Sequence, residues 1–200
     1  MTIKKISVFC GAHMGKSPAY KAAAEDLGAL LASKGLEVIF GGGNVGLMRV
    51  VSDTTIAHGG KVTGIALKSL DVFELTNPNI TETIITHSLF ERKEKFLSIS
   101  DAFIVMPGGV GSMDELLEVM VSNHLGEINK PIGILNINGY YDSFIDWLQH
   151  AVDEQFVSAE NQQRVLISSD PAELLEMILI AEMPDPDSWF ERLNTDPTPS

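Results

Sequence analysis

Short apolar runs alternate with amphipathic segments along most of this chain. The runs have the length of buried strands, and the segments between them show the three-to-four-residue period of helices. The predicted strands span residues 6–10, 37–40, 61–67, 83–85, 102–106 and 131–135. The predicted helices span residues 18–33, 45–57, 88–99, 141–154 and 171–181, and a further helical pattern runs from 116 to 124. Residues 68–79 are predicted to be a polar connection.

This alternation predicts the fold class. Right-handed crossovers between successive strands give a doubly wound parallel sheet with helices on both faces, so we expect a single-domain, Rossmann-like α/β protein. The predicted domain spans residues 1–183. Residues 184–200 contain four prolines, and we expect them to form a mobile tail.

The composition and net charge of the chain exclude several classes of protein. With 44% hydrophobic and 20% charged residues, the chain has the composition of an ordinary globular protein. A net charge of −13 argues against nucleic-acid partners, which need basic clusters. The single cysteine, Cys10, cannot form an internal disulfide, and we find neither a signal-peptide core nor an apolar run of ~20 residues. We therefore expect a soluble, cytoplasmic protein that does not contact membranes.

Three glycine-rich turns follow predicted strands, at Gly11, residues 41–43 and residues 108–111. In a parallel sheet all three lie at the carboxyl edge, where ligands bind. The third turn, residues 107–115, leads into a helix, and its free N–H groups and the helix dipole favour a phosphate. Asp114 and Glu115, expected in the first helical turn, suit sugar hydroxyls, a cation or a reacting water. A sugar phosphate or nucleotide is the expected ligand.

A capping box is the alternative interpretation of the third turn. Ser112 would cap the helix, and Glu115 would reach back to the serine N–H group. A cap does not require Gly108, Gly109 and Gly111, whereas close approach of a ligand does. We favour the ligand site, although Ser112 can cap the empty protein and bind phosphate once the ligand is present.

Two adjacent cations interrupt the apolar stripe of the helix predicted over residues 88–99. Arg92 and Lys93 occupy the core-facing positions three and four residues after Leu89. Their stems can pack there while their head groups reach water. Because the helix starts at the strand edge, we expect the head groups to enter the ligand crevice, balance Glu115 and bind phosphate or ribose.

Other motifs in the chain are weaker. Residues 41–46 have the wrong spacing for a dinucleotide-binding fingerprint. Between Gly11 and Gly15 lie three residues rather than the four of a phosphate-binding loop, which excludes an ATPase. The five histidines lack metal-ligand spacing, so no metal site is predicted.

The chain resembles the Lonely Guy family of cytokinin riboside 5'-monophosphate phosphoribohydrolases, often mislabelled lysine decarboxylases. The family pattern PGGxGTxxE matches residues 107–115, with Ser112 replacing threonine but keeping its hydroxyl. Further matches occur in residues 10–20, 41–48, 91–93 and 130–141. Departures such as Leu89-Phe90 in place of Met-His leave the preferred base open, so prenylated adenine, plain adenine and other bases are all considered.

The resemblance implies hydrolysis of the N-glycosidic bond of a purine nucleoside 5'-monophosphate, without a cofactor, by a homodimer with active sites near its interface. It marks Arg92 and Glu115 as the expected catalytic residues. The residues expected to bind substrate are Glu74, Lys93, Gly108, Gly109, Gly111, Ser112, Asp114, Gly42 and Gly43.

Two other functions remain open. One is a nucleotide-sensing module that binds without turnover, although phosphate binding alone gains little from a nearby carboxylate. The other is a pyridoxal-phosphate decarboxylase, for which Lys93 is the only lysine available in the crevice and in which the acidic pair has no evident use.

Overall fold

The computed structural model describes residues 2–71 and 77–183, which form a seven-stranded parallel sheet flanked by helices. The strands are β1 (Lys5–Phe9), β2 (Glu37–Phe40), β3 (Val62–Leu67), β4 (Glu82–Thr86), β5 (Ala102–Val105), β6 (Ile132–Leu135) and β7 (Val165–Ser168). The helices are α1 (Pro18–Ser33), α2 (Gly46–Ala57), α3 (Lys68–Asp71), α4 (Leu89–Ile99), α5 (Val110–His124), α6 (Asp142–Asp153), α7 (Ala159–Gln163) and α8 (Pro171–Ile180). No helix in these ranges is long and apolar enough to cross a membrane.

Neighbouring residues of each central strand enter two separate hydrophobic cores. Val8 and Ile104 pack in the core shared with α1, α2 and α8, whereas Phe9 and Val105 pack in the core shared with α4, α5 and α6. Successive side chains of a strand point to opposite faces, so both faces of the central strands are covered. This explains why β5 and β6 are unbroken apolar runs rather than alternating ones.

The strand order is β4-β3-β2-β1-β5-β6-β7, so the chain reverses its direction of travel across the sheet between β1 and β5. These two strands are neighbours, with Phe9 paired to Val105. Beyond them, the N–H group of Gly11 donates to the carbonyl of Pro107 at 3.0 Å. The loops after β1 and β5 therefore start side by side, and the crevice between them is the position where such sheets bind ligands.

The predicted fold class is confirmed, and helix α1 matches its predicted range. The Ser17 hydroxyl accepts from the N–H group of Ala19, and Gly35 ends the helix with a left-handed φ of 68°. Elements α3, α7 and β7 are absent from the prediction; α3 and α7 span only four and five residues, about one helical turn, which is too short to show a helical period. The predicted tail, residues 184–200, lies outside the described residues.

The predicted apolar stripe of α4 is wrong at its first position. Leu89 is 59% exposed, and Phe96 is the buried residue of this helix. Helix α4 begins three residues after β4 ends, so its first turn lies at the edge of the sheet with no strand beneath it. Arg92 follows one turn later, where the helix reaches the carboxyl ends of the strands.

Candidate active site

A cleft of about 430 Å³ opens at the switch point between the loops that follow β1 and β5. Six parts of the chain line it. They are residues 10–15, Tyr20, Leu47 with Met48, Arg92, residues 107–109 with Gly111, Ser112 and Glu115, and Tyr140. The first and third glycine turns therefore meet in one cavity, together with both predicted catalytic residues.

Helix α5 directs its N-terminus into this cleft, but it begins earlier than the sequence predicts. Gly109 is the N-cap residue, with no side-chain hydrogen bond to the cap, and the helix starts at Val110. The capping-box interpretation is therefore wrong, because Ser112 lies inside the first turn, and Asp114 and Glu115 fall in the second. The first N–H groups of the helix lack intrahelical acceptors, which leaves them available to an anion.

The glycines of the third turn differ in what a side chain would meet. A Cβ atom on Gly108 would lie 2.1 Å from Ser112 Oγ and 3.0 Å from the Gly11 nitrogen, so packing excludes one. A Cβ atom on Gly109 or Gly111 would meet nothing within 4 Å. Internal packing does not require these two glycines, whereas close approach of a ligand to the backbone does.

Arg92 spans the cleft from α4 and is held by contacts on several sides. Its Nη1 atom lies 3.4 Å from Glu115 Oε1, and its Nε donates to the Ile65 carbonyl at 3.0 Å. Its Nη2 lies 3.5 Å from the Gly41 carbonyl oxygen, and its guanidinium carbon lies 5.2 Å from the Phe96 ring centroid. The predicted contact between Arg92 and Glu115 is present, and the side chain is fixed in place before any ligand arrives.

Glu115 has a strongly perturbed pKa. Burial raises its pKa from 4.5 to about 7; the nearby Arg92 charge lowers it, Asp114 raises it, and Lys93 lowers it. Burial outweighs the attraction of Arg92, so the carboxyl exchanges its proton near neutral pH. A carboxyl with this pKa, facing a cleft, is suited to accept a proton during a reaction.

Lys93 is held by two other carboxylates rather than by Glu115. Its Nζ lies 3.4 Å from Asp114 Oδ1 and 2.9 Å from Glu118 Oε2. The hydrogen bond to Glu118 is the main reason that the pKa of Lys93 is raised. Neither Lys93 nor Asp114 belongs to the cleft lining. Both contribute to the electrostatic environment of Glu115, because the charge of Asp114 raises its pKa and that of Lys93 lowers it.

The second glycine turn, residues 41–43, packs against a residue that lines the cleft. Gly42 has a φ of 77° and its carbonyl accepts from the Asn77 N–H, while a Cβ atom on Gly43 would lie 2.7 Å from Met48 Cε. Neither glycine is in the lining. Glu74, the remaining residue expected to bind substrate, lies outside the described residues.

Several lining residues have no role predicted from the sequence. His13, Met14 and Met48 belong to this group, as do Tyr20 and Tyr140, whose rings meet edge to face at 5.9 Å. Local pattern gives no signal for them, because residues from the β1–α1 loop, from the first turns of α1 and α2 and from the segment before α6 meet only in the folded chain. Among residues 2–71 and 77–183, no three His, Cys, Asp or Glu side chains form a group that could hold a metal ion.

Comparison with known proteins decides the family. The family profile described as "Possible lysine decarboxylase" matches residues 48–178. A probable cytokinin riboside 5'-monophosphate phosphoribohydrolase of Oryza sativa subsp. japonica is 38% identical over 175 residues, which are 88% of this chain and 70% of that protein. A cytokinin riboside 5'-monophosphate phosphoribohydrolase of Arabidopsis thaliana is 37% identical over 195 residues, 98% of this chain and 91% of that protein. The chain belongs to the Lonely Guy family.

Comparison with solved structures of low sequence identity shows a shared fold and nothing further. The molybdenum cofactor carrier protein of Chlamydomonas reinhardtii superposes with a TM-score of 0.67 at 17% identity, covering 90% of this Lonely Guy chain and 99% of the carrier. At that identity the match supports the shared sheet and helices but assigns no ligand. The sequence relatives, together with the geometry of the cleft, therefore carry the functional inference.

Proposed function

We propose that this protein hydrolyses the N-glycosidic bond of a purine nucleoside 5'-monophosphate, releasing the free base and ribose 5-phosphate. The observation that carries the proposal is the Arg92–Glu115 pair, which shares one cleft with the open N-terminus of α5. A phosphate site beside a proton-accepting carboxylate is what this reaction requires. The names of the relatives point to the same chemistry.

Phosphate binding falls to the first turn of α5. The N–H groups of residues 109–112 lack intrahelical acceptors, and the Ser112 side chain lines the same cleft. The helix dipole adds to their attraction for an anion. These local donors bind the 5'-phosphate in spite of the net charge of −13. Glu115 follows on the same helix and lines the same cleft, which supports a role of its carboxyl at the ribose of the nucleotide.

Catalysis falls to Glu115, with Arg92 assisting. As the bond between C1' and the base breaks, its electrons go to the base, and positive charge develops on the ribose. The Glu115 carboxylate stabilises that charge or takes the proton of the water that attacks C1'. The released base gains a proton from solvent. Arg92 stays charged throughout, so it orients the ribose or polarises the base and does not supply that proton.

A cysteine mechanism is disfavoured by the environment of Cys10. This thiol lies at the end of the cleft, but burial raises its pKa above the usual range, followed by a smaller effect of the Glu115 charge. A thiol that stays protonated is a poor nucleophile.

An unpaired buried thiol also suits a reducing compartment, and we place the reaction in the cytoplasm.

The proposal includes a homodimer. Large apolar side chains are exposed at the start of α4, at Leu89 and Phe90, and on α5, at Leu117 and Val121. Exposed apolar side chains on two neighbouring helices suit contact with a second copy of the chain. Light scattering of the wild type should give the mass of two chains, and Val121→Asp should reduce it to one. A wild-type mass of one chain at micromolar concentration would remove the dimer from the proposal.

The reaction is tested by incubating the protein with AMP, an N6-prenylated AMP and adenosine, and following the products by chromatography. We expect equal amounts of base and ribose 5-phosphate from the nucleotides and far slower release from adenosine. Comparing the rates of base release from the two nucleotides shows whether the protein prefers plain or prenylated adenine. Tight nucleotide binding without release would instead support a sensing module. An absorbance band from bound pyridoxal phosphate would support the decarboxylase.

A further inference from the structure

Three successive carbonyl groups between β5 and the N-cap of α5 each accept a hydrogen bond from another part of the chain. The Tyr141 hydroxyl donates to the Met106 carbonyl at 2.9 Å. The Gly11 N–H donates to the Pro107 carbonyl at 3.0 Å. The Tyr140 hydroxyl donates to the Gly108 carbonyl. No carbonyl between β5 and the N-cap of α5 is left without a donor, so the direction of each peptide group is fixed.

Fixing a carbonyl also fixes the next N–H group. In a planar trans peptide, the carbonyl of one residue and the N–H of the next point in opposite directions. The bond from Tyr140 to the Gly108 carbonyl therefore determines where the Gly109 N–H points. This peptide joins two glycines, whose backbone angles are the least restricted of any residue pair. Without a partner it can turn over and present a carbonyl oxygen, which repels phosphate.

The two tyrosines differ in their surroundings. Tyr141 is 2% exposed, its N–H group donates to the Asn136 side chain at 2.8 Å, and it anchors the end of β5. Tyr140 is 45% exposed and lines the cleft. Its ring meets those of Tyr20 and Tyr141 edge to face, at 5.9 and 5.0 Å. Packed rings hold Tyr140 in place while its hydroxyl remains within reach of the ligand site.

We propose that Tyr140 is a positioning residue that fixes the Gly108–Gly109 peptide and thereby sets the affinity of the cleft for a 5'-phosphate. The inference rests on the proposed function, since it assigns the phosphate of that substrate to this turn. Tyr140 acts through the backbone and takes no part in proton transfer. Its effect is therefore expected on binding of the phosphate group rather than on the chemical step.

The test compares the wild type with Tyr140→Phe, which keeps the packed ring and removes only the hydroxyl. Calorimetry with ribose 5-phosphate should show binding weakened roughly 3- to 10-fold, the range for losing one hydrogen bond. Adenine binding and the unfolding midpoint should not change. With AMP, KM should rise by a similar factor while kcat changes little. Tyr141→Phe is the matched control, and it should lower the unfolding midpoint, because a buried carbonyl loses its donor.

The results with the wild type and Tyr140→Phe separate the positioning role from the proposed reaction. Unchanged ribose 5-phosphate binding in Tyr140→Phe would overturn the positioning role, and so would an equal loss of adenine binding. If the wild type binds ribose 5-phosphate but releases no base from AMP, the proposed reaction is wrong, and a selective loss in Tyr140→Phe still supports the positioning role. A wild type that does not bind ribose 5-phosphate would overturn both.

Discussion

Replacing Glu115 with glutamine is expected to stabilise the folded protein at alkaline pH. The Glu115 side chain is 14% exposed, and its burial raises the pKa from 4.5 to about 7 in spite of the nearby Arg92. Glutamine has nearly the same shape but carries no charge at any pH. The variant therefore avoids the free-energy cost of an ionised carboxylate in a buried site. It also lacks the proton acceptor that the carboxylate provides.

The direction of the pH dependence follows from proton uptake. Below pH 4.5 the carboxyl of Glu115 is protonated in both the folded and the unfolded chain, and its burial carries no charge penalty. Between 4.5 and about 7 the unfolded chain has lost this proton while the folded chain keeps it, so stability falls as the pH rises. Above about 7 both states are ionised, and the full penalty remains.

The magnitude follows from the same two pKa values. A rise from 4.5 to about 7 corresponds to about 3 kcal/mol between the two limits. The lower pH is kept above the isoelectric point of about 4.7, because a net charge near zero promotes association. Between about pH 5.5 and about pH 8, roughly 2 kcal/mol of this difference should appear. The stability gained by Glu115→Gln should be larger at the higher pH by this amount.

Urea unfolding followed by circular dichroism measures this difference. Wild type, Glu115→Gln and Glu118→Gln are each unfolded at both pH values. Glu118 lies one turn further along α5, is 38% exposed and pairs with Lys93, so its replacement controls for loss of a carboxylate outside the buried site. An equal effect of Glu115→Gln at the two pH values, or a larger gain at the lower one, would refute the raised pKa and the role derived from it.

Further predictions concern the same site. The rate with AMP should rise as the pH increases through about 7, because only the ionised Glu115 accepts a proton. In Lys93→Met the midpoint of that rise should move to higher pH, since the Lys93 charge lowers the pKa of Glu115; an unchanged midpoint would contradict this. Gly41→Ala places a Cβ atom 2.5 Å from Arg92 Nη2, at the flexible end of the side chain. It should fold normally but lose on the order of 10²-fold in kcat/KM through misplacement of the guanidinium. Gly109→Ala should also fold normally, because its Cβ meets no atom within 4 Å, yet bind ribose 5-phosphate more weakly in calorimetry.

The sequence predicts the fold well where local signals agree. Helix α1 has a capping serine, a proline in its first turn and a glycine with left-handed φ after its end, and its observed bounds match the prediction. Helix α5 begins six residues before its predicted apolar pattern. Its first turn contains two small residues and Val110, which is 88% exposed, so no buried apolar side chain marks the start. A hydrophobic pattern in the sequence reveals side chains that are buried in the core. The first turn of α5 faces the cleft and therefore has no such pattern.

The pairing of Arg92 with Glu115 is predictable because α4 and α5 both begin at the carboxyl edge of the sheet. The two side chains lie 3.4 Å apart. The partners of Lys93 are not predictable, because the choice among Asp114, Glu115 and Glu118 depends on how α4 crosses α5. The contact of Tyr140 with a carbonyl 32 residues earlier likewise has no local signature.

The most direct test of the proposed reaction is base release from AMP by wild type, Glu115→Gln and Glu118→Gln, purified and assayed in parallel. Wild type and Glu118→Gln should each release adenine and ribose 5-phosphate in equal molar amounts. Glu115→Gln should be slower by roughly 10²–10⁴-fold, as expected for loss of a general base. Release by Glu115→Gln at close to the wild-type rate, from a variant that folds normally, would contradict the central role of this carboxylate.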